Sequence, residues 1–541
     1  MVTIVVKESK ILEKVKLTEK ELEEVLFNLK SETEKIGEDE LSIEINADRL
    51  DMLSSDGISR AVKGFLGVEL GEPNYQVIDT DYKLVVEKVS QRPYALAAVV
   101  YDVNLDDDFI KELIQFQEKL HDTIGRKRKK VAIGIHDLGK IREKEIHYRL
   151  ASLNESFVPL NQRVLMEISD VLTHTDQGKL YANISLFNGT VPAIAEASGD
   201  ILSLPPIINS DRTKIDNNTS KLFIDVTGTN FDAVAETLDI IVSNLAEGGS
   251  KIGRVNVVSD YSNFSPIMRH NRLEFNSMDI NRRLGFSLTS EDIVHYLRKS
   301  RMEAEAIVDK VAVIVPQYRV DIMTYTDVAE DVGMMYGYQK ISLKKPGLSE
   351  MGKLNPMTKL ERNFRELVIG AGFQEIFSLV LIRGSLLQGN YVSIVNSISE
   401  EYNAVRNSLI WTSLKFLEKN QFARFPIKIF EVGEVVVRDE STDTGYRNEN
   451  RSSLAIMDSK VKYEDLQSVL HQVIKGLTGK YPIYSPITME FLIGGRASRL
   501  LLNNQCLGII GEVHPNTLVK YGIKYPVVIA EIYLEKITEV M

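Results

Sequence analysis

Apolar positions recur in two rhythms along the chain, and the switches between them mark out the predicted elements. Residues 2–6 (VTIVV) and 41–46 (LSIEIN) alternate as strands, whereas Leu22, Val25, Leu26 and Leu29 fall at helical spacing over 17–29. Thr18 and Glu21 give that helix a capping-box start. A second helix is expected from about 54 to 64, and 67–75 (GVELGEPNY) reads as an exit linker, so 1–80 forms a small α/β domain.

Over 81–265 strands and helices alternate. Strands are expected at 83–89 and 94–103, then a long amphipathic helix over 106–130 that ends in the basic run GRKRKK. β-rich stretches follow at 131–137, 181–187, 204–209 and 222–228, and a helix over 231–249 stops at a Gly pair suited to a C-cap. Residues 268–346 read as short helices around one strand, 309–316, which Pro316 ends; helix 289–300 opens with Thr289 and Asp292 in capping-box relation. Residues 350–541 form a last α/β domain, with helices at 357–372 and 406–421 and strands at 376–382, 427–437 and 528–534. The fold class is therefore multidomain α/β (α+β).

Composition narrows the function classes. The 541 residues are 44% hydrophobic and 26% charged, enough apolar content for several cores. Of the net charge of −11, residues 1–80 carry −8 and the remainder only −3, so most of the molecule can present local basic faces. A single cysteine, Cys506, excludes a disulfide framework and Cys-based zinc sites. The apolar runs 94–100 and 377–382 are too short to span a membrane, and the N-terminus lacks a secretory pattern, so a cytoplasmic protein without membrane contact is expected. GxxxxGK[ST], HExxH and GxSxG are all absent.

Three segments carry candidate chemistry. In 318–338 (YRVDIMTYTDVAEDVGMMYGY), Asp327, Glu330 and Asp331 share one face at a helix start, and Asp321 precedes them. Four converging oxygen donors suit Mg²⁺. The alternative is that Thr326 caps the helix and the acids favour its N-terminal dipole. In 125–141 the basic run suits phosphate contact or a solvated helix end, and His136 and Asp137 leave an apolar strand where α/β domains present functional groups; a lone His is also a common structural residue. The polar loops 205–219 and 223–230 fit a pocket lining as well as ordinary turns.

Taken together these segments resemble the beta chain of phenylalanyl-tRNA synthetase, of the shorter archaeal/eukaryotic type. Residues 46–67 (NADRLDMLSSDGISRAVKGFLG) are similar to that family's N-terminal stretch, with Leu50 where Pro is usual. GRKRKKVAIGIHDLGKI, FVPLN, PPIINSDRTKI and LFIDVTGTN resemble its editing domain; VPQYRVDI with D-VAED and YGY resembles its metal-binding module; NSLIWTSLKFLEKN, FEVGEVV, GGRAS and IGEVHP resemble its class II synthetase-like domain. The resemblance implies four domains: 1–80, N-terminal; 81–265, editing; 268–346, a helix-rich metal-binding module; and 350–541, a class II synthetase-like antiparallel-sheet domain without catalytic motifs. It implies an assembly of two alpha and two beta chains that charges tRNA(Phe) with phenylalanine, using ATP and Mg²⁺, with the aminoacylation site on the alpha chain and the last domain of this chain a catalytically silent copy. The strand 430–437 has no Arg to hold an ATP phosphate, and Gly494, Gly495 and Arg496 are too little for the second arginine element. The family pattern assigns Mg²⁺ to Asp321, Asp327, Glu330 and Asp331. It also implies hydrolysis of Tyr-tRNA(Phe) in the editing domain, for which the candidates are His136, Asn209, Asp225 and Thr227, with Arg126 on tRNA phosphate. The rivals are a structural partner with an inactive editing pocket and a stand-alone Mg²⁺-dependent hydrolase.

Overall fold

Burial follows the alternation at both ends of the first domain. Ile4 and Val6 of β1 (Val2–Lys7) and Leu41, Ile43 and Ile45 in the strand Glu40–Ile45 are buried while their neighbours are less so. In this computed structural model, which describes residues 1–347 and 350–541, β1 is followed by α1 (Glu8–Val15), α2 (Glu19–Asn28), β2 (Glu32–Lys35), β3 (Glu40–Ile45) and α3 (Ser55–Leu66). The strands form a three-stranded sheet in the order β1-β3-β2. The Thr18–Glu21 capping box is present at α2.

A ten-stranded sheet follows. It contains β4 (Val77–Val86), β5 (Tyr94–Tyr101), β6 (Val131–Asp137), β7 (Glu145–Ser152), β8 (Thr190–Glu196), β9 (Ile201–Leu204), β10 (Ile208–Asn209), β11 (Lys221–Gly228) and β12 (Lys251–Val258), in the order β10-β9-β8-β7-β4-β12-β5-β11-β6; Phe264–Ser265 adds to β12. One face, through Leu96, Ala98, Ile133, Ile135, Leu222 and Ile224, packs on α4 (Asp107–Asp122) and α7 (Phe231–Glu247). The other, through Ala95, Ala97, Val99 and Phe223, packs on Leu84, Ile146, Tyr148, Ile194 and Leu202. β5, β6 and β11 are buried on both faces, which explains their uninterrupted apolar sequences.

Two expectations fail here. Residues 181–187 are not a strand: after α5 (Ile168–His174), α6 (Asp176–Ser185) is a helix whose N-cap, Thr175, accepts a hydrogen bond from the Gly178 amide. Thr175, Gly178 and Ser185 are buried at helical spacing, so the short alternation Tyr-Ala-Asn-Ile was compatible with both periods. Helix 106–130 stops at Asp122, and the basic run forms a turn.

Residues 271–336 place a three-stranded sheet against three helices: β13 (Asn271–Asn276), α8 (Ser277–Leu284), α9 (Ser290–Lys299), β14 (Glu303–Ile307), β15 (Lys310–Val315) and α10 (Tyr325–Tyr336). The expected Thr289–Asp292 box caps α9. These modules lie in one compact unit, Met1–Lys344. A single apolar cluster runs from Ile4 through Val62, Leu96 and Leu245 to Tyr318 and Met334. Polar groups cross the same junction. Arg60 on α3 is fully buried, with Asp51 at 3.4 Å, the Tyr75 hydroxyl at 3.3 Å, Glu247 at 3.6 Å and the Tyr318 ring centroid at 3.8 Å.

The second unit, Lys345–Met541, is a seven-stranded sheet between helices. The sheet and the helices that cover it are α11 (Pro356–Gly370), β16 (Gln374–Glu375), α12 (Leu409–Asn420), β17 (Ile427–Arg438), β18 (Tyr446–Met457), α13 (Tyr463–Thr478), β19 (Ile483–Pro486), β20 (Leu492–Leu502), β21 (Gln505–Val513), β22 (Val527–Tyr533) and α14 (Leu534–Thr538); a short helix, Pro515–Tyr521, precedes β22. Strand order is β16-β17-β18-β22-β21-β20-β19, antiparallel except for β16 on β17. α11, α13 and α14 cover one face and α12 the other. The strand expected at 376–382 is realised only at Leu381–Ile382. Phe377, Leu379 and Val380 before it are exposed, so the apolar signal was real but has no pairing strand there.

Candidate functional site

Strands β6 and β11 pair with Phe223 opposite His136 and Asp225 opposite Gly134. His136, Asp225 and Thr227 therefore project from the face away from α4 and α7, and all three are buried. His136 Nε2 donates to Asp225 Oδ2 at 2.9 Å, while its Nδ1 lies 2.8 Å from Thr213 Oγ1. Gly134 makes this reach possible: a Cβ there would stand 2.1 Å from Asp225 Oδ2. With both ring nitrogens engaged, His136 acts first as an orienting group. Asp225 Oδ1, in contrast, is buried without a hydrogen-bond partner, and an orphaned buried carboxylate oxygen is an acceptor in search of a donor.

Thr227 is held by a residue that the sequence did not single out. Arg92 is buried; its Nε donates to Thr227 Oγ1 at 2.8 Å and its Nη2 to Thr227 O at 2.7 Å, and burial lowers its pKa to about 10. Thr227 keeps its own O–H free to donate, because Arg92 uses only its lone pair. Asn209 lies at the seam where the two ends of the ten-stranded order meet, its Nδ2 donating to Ile135 O of β6 at 3.3 Å. Glu196, also missed, is buried and accepts from the Arg142 and Glu143 amides and from Arg212. A buried acid late in an apolar strand was the available signal.

The basic run closes around Gly125, whose missing Cβ would stand 2.5 Å from His121 O. Arg126, Lys127 and Arg128 then take left-handed conformations in succession (φ 48°, 55° and 64°). Each such non-glycine residue costs roughly 1–2 kcal/mol. Arg128 is tied to Glu118 at 2.6 Å and to the carbonyls of Pro206 and Ile207, both at 3.2 Å. Arg126 does not join the His136 face. It lines a cavity of about 580 Å³ together with Asp321, Asp327, Glu330 and Asp331.

Those four acids share that cavity but are already partnered. Arg319, two residues upstream of Asp321, is buried and donates to Asp321 at 2.7 and 2.9 Å and to Asp331 at 2.7 and 3.1 Å. Asp327 belongs to the cap of α10: the N-cap is Thr324, not Thr326, and Asp327 Oδ2 accepts from the Thr324 and Met323 amides. These bonds hold its pKa below the usual carboxylate range despite some desolvation. Glu330 pairs with Lys30 at 2.8 Å. Among the described residues no group of three or more His, Cys, Asp or Glu side chains is arranged to hold a metal ion. Cations of the chain thus neutralise three of the four acids: Arg319 stands between Asp321 and Asp331, and Lys30 beside Glu330.

In the second unit, α12 fills one face of the sheet. Arg406 donates to Glu431 of β17 at 2.7 Å, Arg451 to Glu531 of β22 at 2.7 Å, and the Leu409 amide and Ser408 hydroxyl cap onto Glu531 at 2.7 Å. The buried Arg406 and the partly buried Arg451 are thus both neutralised within the chain. Arg496 is exposed and pairs with Glu512.

Models of three domain families match the chain in order: the B3/4 domain over 108–241, the tRNA synthetase B5 domain over 273–338 and the phenylalanyl tRNA synthetase beta chain CLM domain over 344–534. The phenylalanine–tRNA ligase beta subunit of Saccharolobus solfataricus is 52% identical over 100% of this chain and 99% of its own. The chain belongs to the phenylalanine–tRNA ligase beta subunit family. The Metallosphaera sedula beta subunit is also 52% identical, covering 97% of each chain. A solved N-terminal fragment of the Pyrococcus horikoshii beta subunit matches at a TM-score of 0.60 and 32% identity, over 62% of this chain and 99% of the fragment. In this family member the B3/4 match contains His136, Asn209, Asp225 and Thr227, and the B5 match contains the Arg319 cluster. Among the described residues no helix is long and apolar enough to cross a membrane.

Proposed function

We propose that the chain is the beta subunit of a cytoplasmic phenylalanine–tRNA ligase of two alpha and two beta chains. It supports ATP-dependent charging of tRNA(Phe) with phenylalanine on the alpha subunit and hydrolyses Tyr-tRNA(Phe) on the Asp225 face. The four divisions 1–80, 81–265, 268–346 and 350–541 serve as N-terminal, editing, B5-like and synthetase-like parts. The neutralised guanidinium groups under α12 favour a second unit that makes no aminoacyl-adenylate itself. Its exposed apolar run about Phe377 favours a partner subunit on that side.

The observation that carries the editing reading is the orphaned Asp225 Oδ1, buried beside Thr227. A tyrosine hydroxyl is the one group that phenylalanine lacks, and an apolar charging pocket rejects an added hydroxyl only about a hundredfold. A buried carboxylate oxygen without a donor favours the tyrosyl ester over the phenylalanyl ester. His136 fixes Asp225, Arg92 fixes Thr227, and Asn209 anchors the seam. The test is deacylation of Tyr-tRNA(Phe) by the assembled enzyme. Asp225→Asn and Thr227→Val should each lower the rate at least tenfold; unchanged rates in both would leave a structural subunit with an inactive pocket.

Mg²⁺ at Asp321, Asp327, Glu330 and Asp331 requires rearrangement, since a cation must displace Arg319 and Lys30 from three of the four acids. Thermal melting with and without millimolar Mg²⁺ reads this directly.

A further inference from the structure

The strained basic turn has a geometry that the hydrolytic reading leaves unused. Lys127 and Lys129 are exposed, and among the described residues neither they nor Arg126 and Lys130 have a carboxylate within 4.0 Å. The neighbouring Arg128 does the opposite. It turns inward, pairs with Glu118, stacks its guanidinium 4.7 Å from the Tyr181 ring centroid and grips the Pro206 and Ile207 carbonyls. Its own carbonyl accepts from Arg92 Nη1 at 3.2 Å, and Arg92 is the residue that holds Thr227. One arginine thus connects the turn to α6, to the segment leading into Asn209 and, through Arg92, to the Asp225 face. Left-handed strain over three residues persists only where the surroundings over-determine it, and such strain gathers at functional sites.

We propose that this turn is a phosphate-binding clamp for the RNA backbone of the tRNA acceptor end, with Lys127 and Lys129 as the contacting cations and Arg128 as the residue that positions them. The proposal rests on the editing reading for its location. The clamp holds the strand at the seam beside Asn209, so that the terminal ester enters next to Thr227 and Asp225. Lysine ammoniums on a fixed turn suit backbone phosphates, which carry charge without sequence information.

The experiment measures binding of uncharged tRNA(Phe) to the assembled enzyme across a salt series. Lys127→Ala with Lys129→Ala should weaken binding about tenfold near physiological salt and flatten the slope of log K against log salt by about two, one per lost phosphate contact. Arg128→Lys keeps the charge but cannot bond Glu118 and two carbonyls at once. It should weaken binding several-fold with the slope reduced as well, a result that charge count alone does not predict, since lysine retains the charge. An affinity and slope identical to wild type in the double variant overturn the clamp, and wild-type binding by Arg128→Lys overturns the positioning role. Hydrolysis of 3′-O-tyrosyl adenosine by the unaltered enzyme is followed in parallel. Its absence removes the editing reading, whatever the salt series shows.

Discussion

Arg319→Met isolates the largest electrostatic commitment in the cavity shared by the four acids. The guanidinium is 2% exposed and makes four hydrogen bonds of 2.7–3.1 Å to Asp321 and Asp331. Removing one side of a buried ion pair costs about 3–5 kcal/mol, because the carboxylates left behind are neither hydrated nor neutralised. Unfolding entropy of about 2.1 cal/mol/K per residue over the unit Met1–Lys344 gives about 1.4 °C per kcal/mol, so its melting temperature should fall by about 4–7 °C. Adding Asp331→Asn to Arg319→Met removes one stranded charge and should restore a large part of the loss, a coupling visible in a double-mutant cycle. Calorimetry of the four proteins is the assay. If Arg319→Met melts within 1 °C of wild type, the guanidinium is not the neutralising partner. If millimolar Mg²⁺ raises the melting point of Arg319→Met but not of the parent, the freed acids are a cation site that arginine occupies in the unaltered chain.

Other outcomes follow from single residues. Asp239 on α7 is buried with Oδ1 unpartnered, and desolvation pushes its pKa up to about 7, above its unfolded value near 4. The folded chain therefore holds a proton that the unfolded chain releases, and this stability is present below pH 4 and lost as pH rises towards 7, by roughly 4 kcal/mol at most. Asp239→Asn should melt like wild type near pH 4 and higher than wild type at pH 8, as differential scanning calorimetry would show; a pH-independent difference refutes the assignment. Phe377→Ser and Ile398→Ser alter side chains that are 88% and 106% exposed, so each should leave the melting of this chain unchanged. If the alpha subunit covers them, each should weaken association about tenfold or more by analytical ultracentrifugation. Replacing Gly134 by Ala should cut Tyr-tRNA(Phe) deacylation as strongly as Asp225→Asn does, because the new Cβ occupies the path of Asp225 Oδ2 to His136.

Much of the framework was legible because its signals are local. The all-apolar runs of β5, β6 and β11, the capping boxes at α2 and α9 and the Gly pair after α7 each declare an element within a few residues. The site was half legible. His136 stood out at the end of an apolar strand, and Asp225 and Thr227 were named through the family resemblance; the His136–Asp225 pairing across 89 positions depends on strand register, which no local pattern encodes. Arg92 carries no local signal, because its partners are the Thr227 hydroxyl and carbonyl and the Arg128 carbonyl, all far along the chain. Arg319 stood in plain view two residues before Asp321, and the acidic run was read without it. The α6 and 376–382 assignments failed for different reasons: one short pattern fits both periods, and the other is an apolar strip of which only Leu381–Ile382 pairs, with Ala404–Val405, outside the seven-stranded sheet.

The apolar cluster that threads from Ile4 to Met334, and the Arg60 knot that crosses it, make the first 344 residues one cooperative block rather than a string of exchangeable parts. Excising the segment 81–265 would take Glu247 away from Arg60 and strip Leu96 and Leu245 from the apolar cluster that covers it. An autonomous fragment must therefore end near Lys344, and grafting the hydrolytic segment onto another scaffold would require carrying the flanking modules with it.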